Sequence, residues 1–331
     1  MRNKFVRQHW LTILSAFAAL FLAAMPVQQA RADGFTLGTA SNYALLFEGG
    51  GNNTLQITNV TTNTTGGVTG VAAGQGGGIG NIGVGNTGKV SLSGPGTING
   101  NLDVAAAKTG QVTGGGVTIT GTTSYGVSAV ASALNTVNAL NTTVGMLSGS
   151  SVSVNGNTTI NAGSVIAQSC AACGGMVEVF DVSSFSLNNG QTLTINGNGD
   201  LVAFNFTSST NFHGNVVLTG GLTPDDVLFN FVGGSSLTGG PTLDINNGGG
   251  SPSNGSFLSE GIFLDPNGPV SVVNSNVTGR IFGGDSHDFQ YVSGSNITAP
   301  MPTPEPSTFS LLATALLGFA GLAAWRKARL A

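Results

Sequence analysis

The chain is a succession of apolar–polar alternations only a few residues long, and nearly every one is closed by glycine or asparagine. Val90-Ser91-Leu92, Thr97-Ile98-Asn99, Val117-Thr118-Ile119-Thr120, Val152-Ser153-Val154, Thr158-Thr159-Ile160 and Thr192-Leu193-Thr194-Ile195 are examples. Further runs follow at 201–206, 216–218, 227–231, 270–273 and 277–282. A period of two marks strands with one buried side, and Asn-Gly or Gly-Gly punctuation marks turns. Runs this short bury little surface alone. Stacked as coils of a solenoid they share one continuous core, with Gly and Asn at corners that need positive φ. No strict repeat period is visible. The expected fold is therefore mainly β, an irregular right-handed β-solenoid, with a β-sandwich as the alternative.

Glycine is abundant, 53 of 331 residues, which also suits a low-complexity disordered chain. Disorder goes with few apolar residues and high net charge, whereas 40% of this chain is hydrophobic and charge is sparse. The alternation favours order. One segment breaks it: over 125–147 the apolar residues Val127, Val130, Ala131, Leu134, Val137, Leu140, Val144 and Leu147 recur every three or four positions. That spacing predicts an amphipathic helix lying along the solenoid, with Ser and Asn on its solvent side.

The two ends read as addresses. Arg2, Lys4 and Arg7 precede an apolar run over 10–25, and Ala30-Arg31-Ala32 supplies a small-residue cleavage site, giving a signal peptide over 1–32 cut after Ala32. A retained membrane anchor is the alternative. At the other end Pro304-Glu305-Pro306 precedes an apolar stretch over 309–325 and then Arg326, Lys327 and Arg329. Seventeen residues of helix reach about 25 Å, near the lower limit for crossing a bilayer, and the basic cluster would stay on the cytoplasmic side. Pro304, Glu305 and Pro306 followed by an apolar stretch and a basic end resemble the PEP-CTERM sorting signal. The resemblance implies a Gram-negative bacterium, processing by an exosortase, passage through the inner membrane via 309–325, and a destination at the cell surface or in the extracellular matrix. A plain C-terminal anchor is the alternative. On either reading the three residues are recognised by another enzyme and do no chemistry themselves. The organisation expected is a signal peptide (1–32), a body (33–300) and a sorting tail (301–331).

Within the body only Lys89, Lys108 and Arg280 are basic, against thirteen Asp and Glu, so the body carries a net charge of −10 that the whole-chain value of −4 conceals. Phosphate recognition needs clustered Lys and Arg, which excludes nucleic acid as a partner, and an anionic lipid surface for the same reason.

Phe35-Thr36-Leu37-Gly38-Thr39-Ala40-Ser41-Asn42-Tyr43-Ala44 resembles the opening of the ice-binding-protein-like family, DUF3494. Leu201-Val202-Ala203-Phe204-Asn205-Phe206, Val227-Leu228-Phe229-Asn230-Phe231, Gly261-Ile262-Phe263-Leu264 and Val277-Thr278-Gly279-Arg280-Ile281-Phe282 resemble its later strands. The related choice-of-anchor A domain shares that ending and the Gly284-Asp285-Ser286 stretch. The resemblance implies a right-handed β-solenoid with a helix alongside. The glycine-rich stretch 66–88 departs from the family pattern.

Three constellations could carry chemistry. Cys170-Ala171-Ala172-Cys173 reads in an exported protein as a small-loop disulfide or two free thiols; redox or zinc chemistry would need a helix N-terminus or two further ligands. Asp285-Ser286-His287-Asp288, just after Arg280, is the one place where His sits among carboxylates, and on a β-helix such groups could cleave an acidic polysaccharide. The plainer reading is a polar turn, and His213, with no carboxylate near in sequence, receives no role. Thr-x-Thr at Thr118/Thr120, at Thr192/Thr194 and across Thr62–Thr65 could line a flat face able to order water or to hydrogen-bond carbohydrate, although Thr is also simply a good strand residue. The chain is therefore expected to be a non-enzymatic structural or adhesive protein of the cell surface or exopolysaccharide matrix. It would have no catalytic residues, metal or cofactor. Ice binding is the second reading and a polysaccharide-active enzyme the third.

Overall fold

The computed structural model describes residues 34–58, 67–69, 80–197, 199–234, 239–246, 258–284 and 287–300, all within the unit Ala32–Glu305. The signal peptide and sorting tail expected above, and Thr62–Thr65, lie outside the described residues.

Short strands can satisfy their backbone groups only through neighbours, and here each pairs in parallel with the equivalent strand of the next coil. The one antiparallel pairing among the described residues joins Gln168–Cys170 to the start of Gly175–Ser186. A sandwich would need antiparallel sheets packed face to face. The body is a three-faced β-solenoid.

The first face carries, in stacking order, Thr123–Tyr125, Leu102–Val104, Ile82–Val84 and Leu45–Phe47, then the second halves of Asn276–Gly283 and Leu258–Asp265. Val227–Phe231, Leu201–Phe206, Gly175–Ser186 and Ser150–Asn155 complete it. The second face runs from Val117–Ile119 through Gly96–Ile98, Gly67–Thr69, Asn296–Thr298 and the first halves of the same two long strands to Asn215–Thr219, Thr192–Asn196 and Thr158–Asn161. The third is a seven-stranded sheet from Val112–Gly114 through Lys89–Ser93, Thr54–Thr58, Phe289–Val292, Val270–Val273 and Leu243–Asn246 to Thr210–Phe212. Gly261 and Gly279, paired in register at φ 139° and 145°, bend the two long strands across a corner. A Cβ at Gly279 would collide with the Gly261 carbonyl, so the stacked bend admits only glycine. That corner joins the first two faces into one 18-stranded sheet.

Stacking order differs from chain order. Coils wind outward from Leu45 to Tyr125; helix α1 (Ser128–Gly145) then runs back along the first face, and a second set of coils winds inward from Ser150 until its last strand pairs with the first, Ile281 beside Leu45. The lengths agree. Eighteen helical residues cover about 27 Å, and the residues that flank them bridge the rest of the about 43 Å that ten strands span.

Inward-pointing residues form one core. Phe180, Phe204, Phe229 and Phe263 occupy one register position on successive coils and stack with centroids 5.3, 5.4 and 4.8 Å apart. Offset stacking of this kind adds to the area each ring buries. Outward-pointing residues on the same strands form a second core beneath α1, where Val130, Ala133, Leu134, Val137, Leu140 and Val144 meet Leu46, Val177, Val179, Leu201, Ala203, Leu228, Ile262, Leu264 and Phe282. Both sides of Leu201–Phe206 and Val227–Phe231 are therefore buried, as their near-continuous hydrophobicity requires.

The helix stripe differs from the expected one in three positions. Ala131 is exposed and Ala133 is buried, and Asn141 faces the sheet instead of solvent. Its side chain donates to Asn230 Oδ1 (2.7 Å) and the Phe231 carbonyl (2.8 Å), while Asn230 donates to Asn205 Oδ1 (2.9 Å) and Asn205 to the Val144 carbonyl (3.2 Å). Asn205 and Asn230 are register partners, so a buried polar ladder receives the helix C-terminus and fixes its register on the sheet.

Arg280, a neighbour in sequence of the possible surface site at 285–288, has a fully buried side chain. Nε donates to Asp225 Oδ1 (3.0 Å), Nη1 to the carbonyls of Ser41 (2.7 Å) and Tyr43 (2.9 Å), and Nη2 to that of Pro300 (2.8 Å) and to Asp225 Oδ2 (3.5 Å). One guanidinium thus ties together the segment entering the first coil, the turn before Val227–Phe231 and the segment after the last coil. Asp225 is presented by the turn Pro224–Asp226, capped by Thr223 and Asp226, and its carbonyl also accepts from Phe35 N (2.8 Å). Replacing Arg280 by Met should leave Asp225 and three carbonyls unpaired and cost about 3–5 kcal/mol. Urea denaturation of parent and variant measures it; a loss below about 1 kcal/mol would contradict this assignment.

Candidate functional site

Every described Phe and Tyr belongs to a core cluster or packs against one. The surfaces left for recognition are the outward side chains of the flat faces. On the second face, where inward positions are buried and alternate ones point out, register places Thr159 beside Thr194, Thr278 beside Thr298, and Thr97 beside Thr118. Thr118 and Thr194, from two of the predicted Thr-x-Thr pairs, therefore share a face but sit toward opposite ends of it. Between them Val217 and Glu260 interrupt the threonines, and Glu260 accepts from Leu218 N (2.8 Å). On the third face one outward ladder runs through Asn211, Asp244, Ser271, Gln290, Gln56, Ser91 and Thr113. Neighbouring strands lie about 4.8 Å apart and alternate residues about 6.6–6.8 Å, so each face is a two-dimensional grid of hydroxyl and amide groups.

His213 lies against that third-face ladder and does have a carboxylate. Nε2 is 3.1 Å from Asp244 Oδ2, and both side chains are partly exposed. Asp244 belongs to the next coil, opposite Asn211, which is why nearness in sequence missed it.

The cluster after Arg280 does not assemble as the enzyme reading needs. Asp285 and Ser286 lie outside the described residues, and His287 is exposed. Asp288 accepts from Thr54 N (2.7 Å) and from Gln56 Nε2 (3.4 Å), securing the start of strand Thr54–Thr58, while Arg280 points into the body and cannot meet a substrate. Among the described residues no group of three or more His, Cys, Asp or Glu could hold a metal ion.

Cys170 and Cys173 are joined by a disulfide around the turn Ala171–Cys173, with Cα atoms 5.2 Å apart. Both are buried in the cluster beneath α1, and the Cys173 carbonyl accepts from Thr36 N (2.8 Å), so the loop holds the chain's entry segment. Ala30, Ala32, Pro304, Glu305, Pro306 and the apolar stretch 309–325 lie outside the described residues. Among the described residues no helix is long and apolar enough to cross a membrane.

Residues 302–328 match the PEP-CTERM protein-sorting motif. The chain therefore carries that motif at its C-terminus, which marks an exported protein sorted through the membrane by an exosortase. No curated protein matches the chain in sequence. Among solved structures it is similar to an ice-binding protein from the Antarctic ascomycete Antarctomyces psychrotrophicus (16% identity over 80% of this chain and 98% of that one, TM-score 0.45). It is also similar to a glycosylated ice-binding protein from an Arctic yeast (15%, 82% and 96%, TM-score 0.43) and to the DUF3494 domain of a Shewanella frigidimarina ice-binding protein (13%, 80% and 97%, TM-score 0.38).

Among the described carboxyls Asp265 is the one most strongly shifted by burial. It is fully buried, accepts from Gly268 N (2.9 Å) through Oδ1, and Oδ2 has no hydrogen-bond partner. Burial pushes it up to about 8, with the backbone N–H groups of Gly268 and Leu243 offsetting part of the rise. Burial also raises Asp103, against the opposing bond from Tyr43, and Asp225, against Arg280. An unfolded aspartate titrates near about 3.9, so between about 4 and about 8 the folded protein holds more protons than the unfolded chain. Stability should therefore fall as pH rises across that window and level off above it. Asp265→Asn should reduce that fall and be more stable than the parent above about pH 8, converging with it near pH 4. Thermal denaturation from pH 4 to 9 checks this; parallel curves for parent and variant would contradict it.

Proposed function

We propose that the chain is a non-enzymatic structural or adhesive component of the cell surface or exopolysaccharide matrix. Its body would hold hydrated polymer through the polar grids on its second and third faces. The observation that carries this reading is the combination of an exosortase-sorting motif with outward Asn, Gln, Ser and Thr ladders on a packed, stiff body. With the aromatic rings turned inward, contact with carbohydrate would rest on hydrogen bonds, individually weak but repeated at strand spacing. The −10 charge of the body favours neutral or cation-bridged polymer over a strongly acidic one. The proposed organisation keeps the boundaries 1–32, 33–300 and 301–331, with cleavage after Ala32, transit through 309–325 and recognition at Pro304, Glu305 and Pro306.

Replacing those three residues by alanine should leave a full-length, tail-bearing form in the inner-membrane fraction. The parent should appear in the surface or matrix fraction at lower mass. Fractionation with mass measurement decides it, and identical distribution and mass would remove the proposed role of the motif.

Ice binding is favoured as a second reading by the threonine pairs of the second face, whose spacing is regular enough to order a water layer. Val217 and Glu260 break that layer in its middle. On the first reading the purified protein co-sediments with its own cells' exopolysaccharide and leaves ice recrystallisation unchanged. Inhibition of recrystallisation that Thr278→Tyr abolishes, without polymer binding, would transfer the function to ice.

A further inference from the structure

The outward winding of the chain stops, at one end of the solenoid, with the coil 112–125. Its three strands, Val112–Gly114, Val117–Ile119 and Thr123–Tyr125, each have a partner on one side only among the described residues. Val112, Val117, Ile119 and Tyr125 pack against the main core from this coil and are only partly buried. Exposed β-edges are ordinarily blunted by charge, by proline or by a covering element. From Val112 to Tyr125 there is no Asp, Glu, Lys, Arg, His or Pro.

We propose that this end docks on the same end of a second copy, so that the chain forms a two-fold, end-to-end dimer. The opposite end is not the partner: the first face stacks ten strands and the second nine, so no single translation continues both. A two-fold axis meets no such conflict. The coil climbs toward the open end as it winds, so Val112–Gly114 lies deepest along the solenoid axis and Thr123–Tyr125 furthest out. An axis through the middle strand sets the outermost strand of each copy on the deepest strand of the other. The middle strand meets itself, and all three gaps close together. The contact is isologous and complete at two copies.

The open backbone groups suit antiparallel pairing. In a parallel ladder the N–H and C=O of one residue point to the same neighbour, and successive residues alternate. Gly115 N donates to the Leu92 carbonyl, Thr120 N to that of Ile98, and the Thr122 carbonyl accepts from Leu102 N. Thr113, Thr118 and Ser124 are therefore turned to the coil beneath, while Val112, Val117, Ile119, Thr123 and Tyr125 present their groups to the open end. With the axis at Thr118, Val117 of one copy lies opposite Ile119 of the other, a pair that exchanges both its hydrogen bonds. The same arrangement sets Val112 opposite Tyr125. The partly buried apolar residues of each copy thus meet those of the other, and the two cores become one. Outside, Thr97 and Thr118 of one copy are followed by Thr118 and Thr97 of the other, and cross-strand threonine pairs are themselves stabilising.

A single coil from each copy is a smaller contact than the roughly 20–30 residues a side of a standard interface, so dimers are expected at micromolar concentrations and above. The test is sedimentation velocity of the processed protein, purified from cells that export it, over a concentration series. A monomer–dimer equilibrium is expected. Thr118→Lys and Thr118→Glu, at an exposed position, each set like charges face to face across the axis. Each alone should raise the dissociation constant at least about tenfold, and an equimolar mixture of the two should restore association by pairing opposite charges. Rescue by mixing also shows that both variants are folded. Thr194→Lys, on the same face but toward the other end, should leave dimerisation unchanged. A parent that stays monomeric throughout overturns the proposal. So does dimerisation that neither Thr118 variant weakens, a mixture that fails to re-associate, or association abolished by Thr194→Lys, which would make it lateral.

Discussion

The guanidinium of Arg280 sits where the two halves of the solenoid meet. The coil that is last in sequence must stack on the coil that is first, and this parallel contact, Ile281 beside Leu45, is the most distant strand pairing among the described residues. Bringing such remote segments together costs chain entropy before any contact repays it. Burying an arginine is costly as well, unless its donors all find partners. Here they find a bidentate carboxylate and three carbonyls, drawn from the entry segment, the turn before Val227–Phe231 and the segment after the last coil. The cost is met only when all three are in place, so the group specifies the closed arrangement. Coils on either side then have a fixed platform on which to stack.

The same closure decides where the chain's ends emerge. Phe35 is tied to Asp225 and Pro300 to Arg280, so entry and exit both lie beside the central coils. Pro300, the last described residue before the sorting motif, is therefore held at the middle of the stack. Neither terminal coil takes part in that contact, and the second and third faces keep their polar ladders clear of α1, which covers the first.

Much of this was legible in the sequence because local periodicity and strand chemistry are local properties. The short alternating runs fall on strands, and the three- and four-residue spacing marks α1. What escaped depends on register between coils. The step from one coil to the next is short from Phe263 to Ile281 and long from Leu45 to Ile82, so no period betrays which residues will be neighbours. His213 meets Asp244, and Asn141 meets Asn230, across spacings that no motif encodes. Asn141 is polar and so reads as a solvent-side residue, but the sheet opposite supplies its partners. The nearest thing to a legible signal was the repeated Phe-Asn-Phe at 204–206 and 229–231. Its flanking rings enter the core ladder while the central Asn faces the helix. Arg280, read through its neighbours in sequence, belonged to residues distant from it.

Charge is distributed along the solenoid in a way that bears on how copies meet. All charged residues of the body lie outside 109–177, so the terminal coils and the helix carry none, and the acidic residues stand on the coils between, from Asp103 to Asp181. Two bodies side by side would oppose these acidic belts at close range, with few cations to offset them. Salt screens that repulsion, so side-by-side association of bodies is disfavoured in dilute salt and favoured at high salt.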